Sequence, residues 1–144
     1  MQEELVGIKG NTLDWVKDRL RHLRVVTASL ENNKLVYSYD GMCIKLPSTS
    51  GIYAFYSKAD WMYTEKPLYI GEANNLHQRI KYHYSEAPSA KRDGTLKKAL
   101  KKVFRDSDKT TRDLVVFKYI EIPFGRKEIE TLLHEEYQIN TKRK

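Results

Sequence analysis

The stretch from Gly51 to His83 reads GIYAFYSKADWMYTEKPLYIGEANNLHQRIKYH, and the order of its motifs determines the expected fold. Its first six residues, GIYAFY, are aromatic and β-branched, and they predict a strand. Residues 67–70 (PLYI) predict a second short strand, which is expected to end at Gly71. Asn74 is a preferred helix N-cap and predicts a helix that continues to about Tyr84.

Four polar side chains of this stretch are expected to converge. The first strand carries the tripeptide GIY, which ends at Tyr53, and the second carries YIG, which begins at Tyr69. If the strands pair as a hairpin, both tyrosines can lie on one face of the sheet. In the helix that follows, Arg79 and His83 are four residues apart and therefore project from the same helix face.

The residues before this stretch predict a helix and a β-hairpin. Asn11 and Thr12 are capping residues for a helix that runs to about Arg24, with leucine and valine on one face at helical spacing. Residues 34–39 and 42–46 alternate as strands do, and the Asp-Gly pair between them is a favoured hairpin turn.

The remaining two thirds of the chain predict one small α/β domain. The polar segment PSTS after the hairpin marks a boundary between an extension, residues 1–46, and a domain, residues 47–144. Thr95 caps another helix, residues 113–122 predict a strong strand, and residues 127–139 predict a final helix. This order is typical of an α+β sandwich. We expect a central, mainly antiparallel three-stranded sheet flanked by helices, together with the helix and hairpin of the extension.

The formal net charge of +7 is concentrated in one block of the chain. Residues 77–105 contain nine Lys or Arg and two acids, so the other residues are balanced. Four lysines share one face of the helix that Thr95 caps: Lys97, Lys98, Lys101 and Lys102. A basic block on a neutral body indicates a polyanion-binding surface, although a solvated lysine-rich helix would show the same pattern.

Composition argues against several other classes of protein. No apolar run is long enough to span a membrane, and the first residues lack the features of a secretory signal, so we expect a cytoplasmic location. The single cysteine, Cys43, excludes an internal disulfide. The absence of CxxC and HExxH patterns argues against a structural zinc site.

The motifs resemble those of the GIY-YIG nuclease family. The core of that family reads GIY, a loop, YIG and then N-L-x-x-R-I-x-x-H, which matches residues 51–83 in order and spacing. The final helix contains ETLLHEEY, from Glu130 to Tyr137, which is similar to the family pattern E-x-x-L-H/I-x-x-Y/F. Two departures stand out, because the loop between GIY and YIG is long and Glu72 occupies a position that is often lysine in relatives.

The resemblance implies hydrolysis of phosphodiester bonds with one divalent metal. Glu130 would hold Mg²⁺, or Mn²⁺ in its place, together with waters and phosphate oxygens, since Mg²⁺ needs only one or two carboxylates. Tyr53 would take the proton from the attacking water, and Tyr69 would bind the scissile phosphate or orient that water. Arg79 would clamp a phosphate oxygen, while His83 would hydrogen-bond Tyr53 or donate to phosphate.

The sequence leaves two glutamates of the final helix as candidates for the metal ligand. Ile129 and Leu133 belong to the predicted buried face, with Glu130 at its margin and Glu136 nearer its centre. A buried carboxylate needs a partner or a metal. The family pattern favours Glu130 as the ligand.

Further residues are expected to contact nucleic acid. They are the basic residues of the charged block and the asparagine that resembles the one closing the family's domain: Lys81, Lys97, Lys98, Lys101, Lys102 and Asn140. The extension offers a second basic group, Lys17, Arg19, Arg21 and Arg24. Alternatively, Trp15 and Leu20 would form a dimer interface.

The predicted function is therefore metal-dependent endonucleolytic cleavage of DNA, with RNA still open as a substrate. The short chain fits a restriction-type or phage-type enzyme better than a homing or repair enzyme. The alternative is a catalytically silent nucleic-acid-binding module on the same scaffold, and a third, less favoured class is a protein-interaction subunit. A homodimer stays open, because double-strand cleavage needs two sites or sequential nicks.

Overall fold

The computed structural model describes residues 13–85 and 111–139. In these ranges the chain forms four helices, namely α1 (Leu13–His22), α2 (Leu76–Tyr84), α3 (Thr111–Leu114) and α4 (Arg126–Tyr137). It also forms six strands, namely β1 (Val26–Glu31), β2 (Lys34–Tyr39), β3 (Met42–Ile44), β4 (Gly51–Ser57), β5 (Tyr69–Ala73) and β6 (Val115–Glu121). The helix predicted after Thr95, its four lysines and Asn140 lie outside the described residues.

All described strands belong to one antiparallel sheet with the order β3-β2-β1-β6-β4-β5. The predicted α+β class is confirmed, and the expected three-stranded core is the group β6-β4-β5. The predicted hairpin is also present as β2 and β3, and Asp40 (φ 52°) and Gly41 (φ 85°) both adopt the positive φ of a type I′ turn.

The extension joins this sheet through β1, a strand that was not predicted from the sequence pattern. Strand β1 pairs along its length with β2, but only Val26 pairs with β6, opposite Phe117. The hairpin and the downstream strands therefore form a continuous sheet rather than two separate ones.

Helices cover both faces of the sheet, and the sheet separates the hydrophobic core into two clusters. On the face that carries Tyr53 and Phe55, α2 contributes Leu76, Ile80 and Tyr84, all buried. On the opposite face, α1 contributes its buried valine and leucine, and α4 contributes Ile129 and Leu133. No helix in the described ranges is long and apolar enough to cross a membrane.

A buried lysine links the extension to the sheet. Lys118 of β6 is 7% exposed; its ammonium donates to the carbonyl of Leu20 at 2.5 Å and lies 4.9 Å from the ring centre of Tyr56. Burial lowers the pKa of Lys118. Leu20 lies in the last turn of α1, where carbonyls lack helical partners, so the lysine satisfies a helix terminus. Leu20 is 1% exposed, which rules out its predicted alternative role in a dimer interface.

Two boundaries near the GIY and YIG motifs differ from the prediction. Strand β5 does not end at Gly71 but continues through it to Ala73. Helix α2 is capped by Asn75, whose side-chain oxygen accepts from the backbone N–H of Gln78 at 3.0 Å. The predicted cap, Asn74, instead accepts a hydrogen bond from Arg126 of α4.

Candidate active site

Tyr53 lies at the centre of β4 and leans across the edge strand β5. Gly71 is its direct partner in β5, and a Cβ atom at Gly71 would lie 2.3 Å from the Tyr53 hydroxyl oxygen. Only glycine leaves room for the phenol ring at this position. The glycine of the YIG motif therefore allows the Tyr53 hydroxyl to reach towards the open edge of the sheet.

The imidazole of His83 forms a hydrogen bond with the Tyr53 hydroxyl. The Tyr53 hydroxyl oxygen is 2.8 Å from Nε2 of His83, which projects from α2. Tyr69 packs against both groups, with ring centres 6.2 Å from Tyr53 and 5.3 Å from His83. Tyr69 pairs with Phe55 in the sheet, so it lies on the same face as Tyr53, as the sequence predicted. Three of the predicted site residues are thus in direct contact.

The surroundings keep both partners of this hydrogen bond neutral. Burial raises the pKa of Tyr53 far above its ordinary value, and the neighbouring Tyr69 raises it further. Burial also lowers the pKa of His83 to about 4, and the positive charge of Arg79 acts in the same direction. At neutral pH the pair is therefore a phenol and an uncharged imidazole, in which either ring nitrogen can carry the proton.

Arg79 and Glu130 bring opposite charges towards the same hydroxyl. The positive charge of Arg79 lowers the Tyr53 pKa, although burial outweighs this effect, and the negative charge of Glu130 raises it. Arg79 lies on the exposed side of α2, whereas Glu130 is half-buried on α4. These two helices pack on opposite faces of the sheet, so Arg79 and Glu130 approach Tyr53 from either side of edge strand β5.

Glu136 does not lie near the centre of a buried face, contrary to the prediction. Its side chain is 41% exposed, and its carboxylate accepts a 2.7 Å hydrogen bond from the ammonium group of Lys17 of α1. The buried face of α4 is centred on Ile129 and Leu133, and Glu136 is in the last turn, beside α1. Glu136 therefore already has a surface partner, and the reason for considering it as a metal ligand disappears.

Two further contacts, which the sequence pattern did not predict, attach α4 to the edge strand. His134, four residues after Glu130 on α4, donates through Nε2 to the carbonyl of Ile70 at 2.8 Å. Arg126 donates through Nε to Glu72 at 2.8 Å, with both side chains about 80% buried. Glu72, where the family resemblance led us to expect a lysine, therefore anchors the N-terminus of α4. Its complementarity with Arg126, 54 residues later, was not visible from local patterns.

The Glu130 carboxylate near Tyr53 is a suitable ligand for a hard divalent cation. Within residues 13–85 and 111–139 no three His, Cys, Asp or Glu side chains are grouped closely enough to enclose a metal. Mg²⁺ does not require such a group, because it retains waters and binds through one or two carboxylates and substrate phosphates. Glu130 is a half-buried carboxylate within electrostatic reach of the Tyr53 hydroxyl, so its oxygens fit this requirement.

The described residues form a mixed α+β fold in which tyrosines, an arginine and a glutamate lie near one strand edge. The family model described as the GIY-YIG catalytic domain matches residues 49–144, two thirds of the chain. The chain therefore belongs to the GIY-YIG family. Among curated proteins and solved structures, none matches it significantly.

Proposed function

We propose that this protein is a metal-dependent endonuclease that hydrolyses phosphodiester bonds of DNA. The family establishes a nuclease scaffold, and the observation that supports activity is the 2.8 Å hydrogen bond between Tyr53 and His83 at a strand edge that Arg79 and Glu130 also approach. A binding module without activity would not need a phenol, an imidazole, a guanidinium and a carboxylate around one point.

The state of Tyr53 defines how it can act as a base. A buried phenol with a raised pKa does not lose its proton to bulk water at neutral pH, so it needs an acceptor at hand. His83 is uncharged and hydrogen-bonded to the hydroxyl. As the water attacks phosphorus and the bond from phosphorus to the leaving oxygen breaks, Tyr53 takes a proton from the water and passes its own proton to Nε2 of His83. The leaving oxygen takes a proton from solvent, and His83 later releases its proton to solvent. A bound phosphate opposes the positive charge of Arg79 and so makes His83 a stronger base.

The remaining groups hold the substrate and stabilise the charge that develops on it. Arg79 donates to a non-bridging phosphate oxygen, because a guanidinium offers several N–H donors in a fixed plane. Tyr69 directs its hydroxyl to the same phosphate or to the attacking water. Lys81, exposed on α2, neutralises a neighbouring phosphate.

Glu130 would hold the divalent cation together with waters and phosphate oxygens. When bound, Mg²⁺ or Mn²⁺ stabilises negative charge on the phosphate and on the leaving oxygen. Glu130 itself contributes a fixed carboxylate on α4, a helix that His134 and Arg126 attach to the edge strand.

Cleavage of a supercoiled plasmid tests the proposal. The wild-type protein should convert it to nicked or linear DNA with Mg²⁺ or Mn²⁺ and leave it intact in EDTA. Glu130→Ala and Tyr53→Phe should reduce the rate by at least about a hundredfold, the range for loss of a metal or acid–base function. Glu136→Ala, on the same helix, is the matched control and should cleave at the wild-type rate.

Two results would contradict this proposal in different ways. Full activity in Glu130→Ala would remove the metal-ligand assignment. Salt-sensitive binding without metal-dependent cleavage by the wild-type protein would support the silent nucleic-acid-binding module instead.

A further inference from the structure

The sheet leaves an open strand edge next to the extension. Among the described strands, residues 118–121 of β6 pair with β4 but not with β1, since β1 meets β6 only at Val26. Before Val26 the chain turns away from the sheet towards α1. A cleft of about 580 Å³ lies beside this part of β6, between α1 and the end of the β2–β3 hairpin. We call it the extension cleft; its lining includes Trp15, Arg19, Tyr39, Lys45, Tyr119 and Glu121.

Positive charge dominates the lining of the extension cleft. Among the described residues that line it, Arg19, Arg24, Lys45 and Lys118 are basic, and Glu121 is the one carboxylate. Two of these cations have protein partners, because Arg24 pairs with Asp40 at 3.1 Å and Lys118 donates to Leu20. Arg19 and Lys45 are both exposed, one on each wall. The charge on the walls is thus complementary to an anionic chain.

Aromatic rings line the same cleft. Trp15 is 51% exposed, and the Arg19 guanidinium lies 5.9 Å from its ring centre. Tyr39, on the hairpin, and Tyr119, on β6, are half-buried. A DNA duplex presents phosphates outward and keeps its bases stacked inside, so it cannot use such rings, whereas unpaired bases stack on them. A basic groove with aromatic side chains is the recurring arrangement for single strands.

We propose that the extension cleft binds a single strand of DNA, through phosphates on Arg19 and Lys45 and a base stacked on Trp15. The assignment rests on the proposed nuclease function and specifies part of its substrate. Tyr119 is the direct strand partner of Tyr53, so the cleft lies about one strand spacing, roughly 5 Å, from the backbone of β4, whereas the Tyr53 hydroxyl leans the other way, over β5. A substrate that occupies both places needs an unpaired segment long enough to cross β6 and β4 between the cleft and the cut site.

Binding in EDTA separates this assignment from catalysis. The probes are a fluorescein-labelled oligo(dT) 12-mer and a labelled 12-base-pair duplex, followed by anisotropy at several salt concentrations. Arg19→Ala and Lys45→Ala should each weaken oligo(dT) binding and reduce its log–log salt slope by roughly 0.7, the value for one phosphate contact on a single strand. Trp15→Ala should weaken binding about tenfold with little change in slope, because stacking is not ionic.

The chain offers two matched controls. The sequence grouped Arg21 with Arg19 as a candidate nucleic-acid contact, but Arg21 pairs with Asp18 and does not line the extension cleft. Lys34 lies at the opposite end of strand β2 from Tyr39. Arg21→Ala and Lys34→Ala should retain wild-type oligo(dT) binding. Equal losses in cleft and control variants would overturn the assignment, because they would reflect net charge alone.

The duplex probe and the cleavage assay decide the remaining outcomes. A parallel loss of duplex binding in the cleft variants would contradict a single-strand site and indicate a duplex contact. Unchanged oligo(dT) binding in every cleft variant would also overturn the single-strand assignment. An extended peptide would then be the occupant to test at the open edge of β6. Failure of metal-dependent cleavage with intact cleft binding would remove the nuclease proposal but not the single-strand site.

Discussion

Gly71 determines where the Tyr53 hydroxyl lies, and its replacement tests the site without removing a functional group. A methyl group at this position would overlap the phenol end of Tyr53, at 2.3 Å from the oxygen and 2.4 Å from the carbon that carries it. Gly71→Ala should therefore displace the hydroxyl from His83 and slow plasmid cleavage about a hundredfold, the typical cost of an ångström-scale misplacement. Thermal unfolding should report an overpacking cost of about 1–3 kcal/mol.

Gly51→Ala provides the contrast, because its new methyl group would lie 2.2 Å from a backbone oxygen, that of Ile120. Here the clash is with the sheet itself, so the main effect should be on stability. Under conditions where both variants remain folded, only Gly71→Ala should show the specific loss of cleavage. A folded Gly71→Ala protein with wild-type activity would contradict the position that we assign to the Tyr53 hydroxyl.

His83 makes the stability of the protein depend on pH. The folded protein protonates His83 with a pKa of about 4, whereas the unfolded chain does so near 6.5, because burial disfavours the imidazolium. Stability from this group is complete above pH 6.5 and is lost as the pH falls towards 4, where the unfolded state binds more protons. Between pH 7 and pH 5 the loss should be about 2 kcal/mol.

Urea unfolding of the wild type and of His83→Gln at pH 7 and pH 5 measures this contribution. Between pH 7 and pH 5 the free energy of unfolding should fall by about 2 kcal/mol less in the variant than in the wild type, because glutamine does not titrate. His22→Gln, which replaces an exposed imidazole on α1, should behave like the wild type. Identical pH dependence in wild type and His83→Gln would show that His83 is not buried as a neutral group.

Helix α4 carries Glu130, and its attachment to β5 should control metal binding. His134, one turn after Glu130, donates to the Ile70 carbonyl, which fixes α4 against the edge strand. His134→Ala should raise the Mg²⁺ concentration needed for half-maximal cleavage several-fold and cost about 1 kcal/mol of stability for the lost hydrogen bond. Glu136→Ala, which removes only an exposed ion pair with Lys17, should change neither quantity by much.

A metal titration of cleavage separates a positioning role from general destabilisation. If His134 acts only on stability, His134→Ala will lower the melting temperature while the half-maximal Mg²⁺ concentration stays at the wild-type value. That result would contradict a positioning role for this helix contact.

The elements with clear periodicity were predictable, and those with weak signals were not. Strands β4 and β6 are rich in aromatic and β-branched residues and were identified from that composition. Strand β1 was missed because only Val26 and Ala28 are buried in it, and its last three residues are exposed. A strand with so short an apolar face resembles a linker until its partners β2 and β6 are known.

The candidate site shows the same division between local and distant information. The contact of Tyr53, Tyr69 and His83 follows from strand pairing and helical spacing, both of which are local. The rotation of α4 is not local, since it depends on His134 and Arg126 contacting β5 more than 50 residues away. Spacing alone therefore placed Glu136 on the buried face, whereas the fold places it beside Lys17.

In the whole molecule, the extension and the family domain share both halves of the core. Val26, Ala28, Tyr37 and Leu46 pack with Phe117 and Tyr84 on one face of the sheet. Val16 and Leu20 of α1 pack with Ile52, Ile120 and Ile129 on the other face. The boundary predicted at residue 47 therefore crosses two hydrophobic cores, even though the family match begins at residue 49.

We expect residues 47–144 alone not to fold cooperatively. Truncation would uncover the side chains that Val16, Leu20 and Val26 bury, would expose the whole edge of β6, and would leave the ammonium of Lys118 without the Leu20 carbonyl. Each Å² of apolar core surface that becomes exposed to water costs about 25 cal/mol of stability. An unpaired strand edge also favours aggregation. Circular dichroism during heating should show a sigmoidal transition for the full chain and a broad one for the truncated chain. A truncated protein that unfolds cooperatively near the full-length melting temperature would instead define the extension as a separate module, and its cleft as an addition that the nuclease domain does not need for stability.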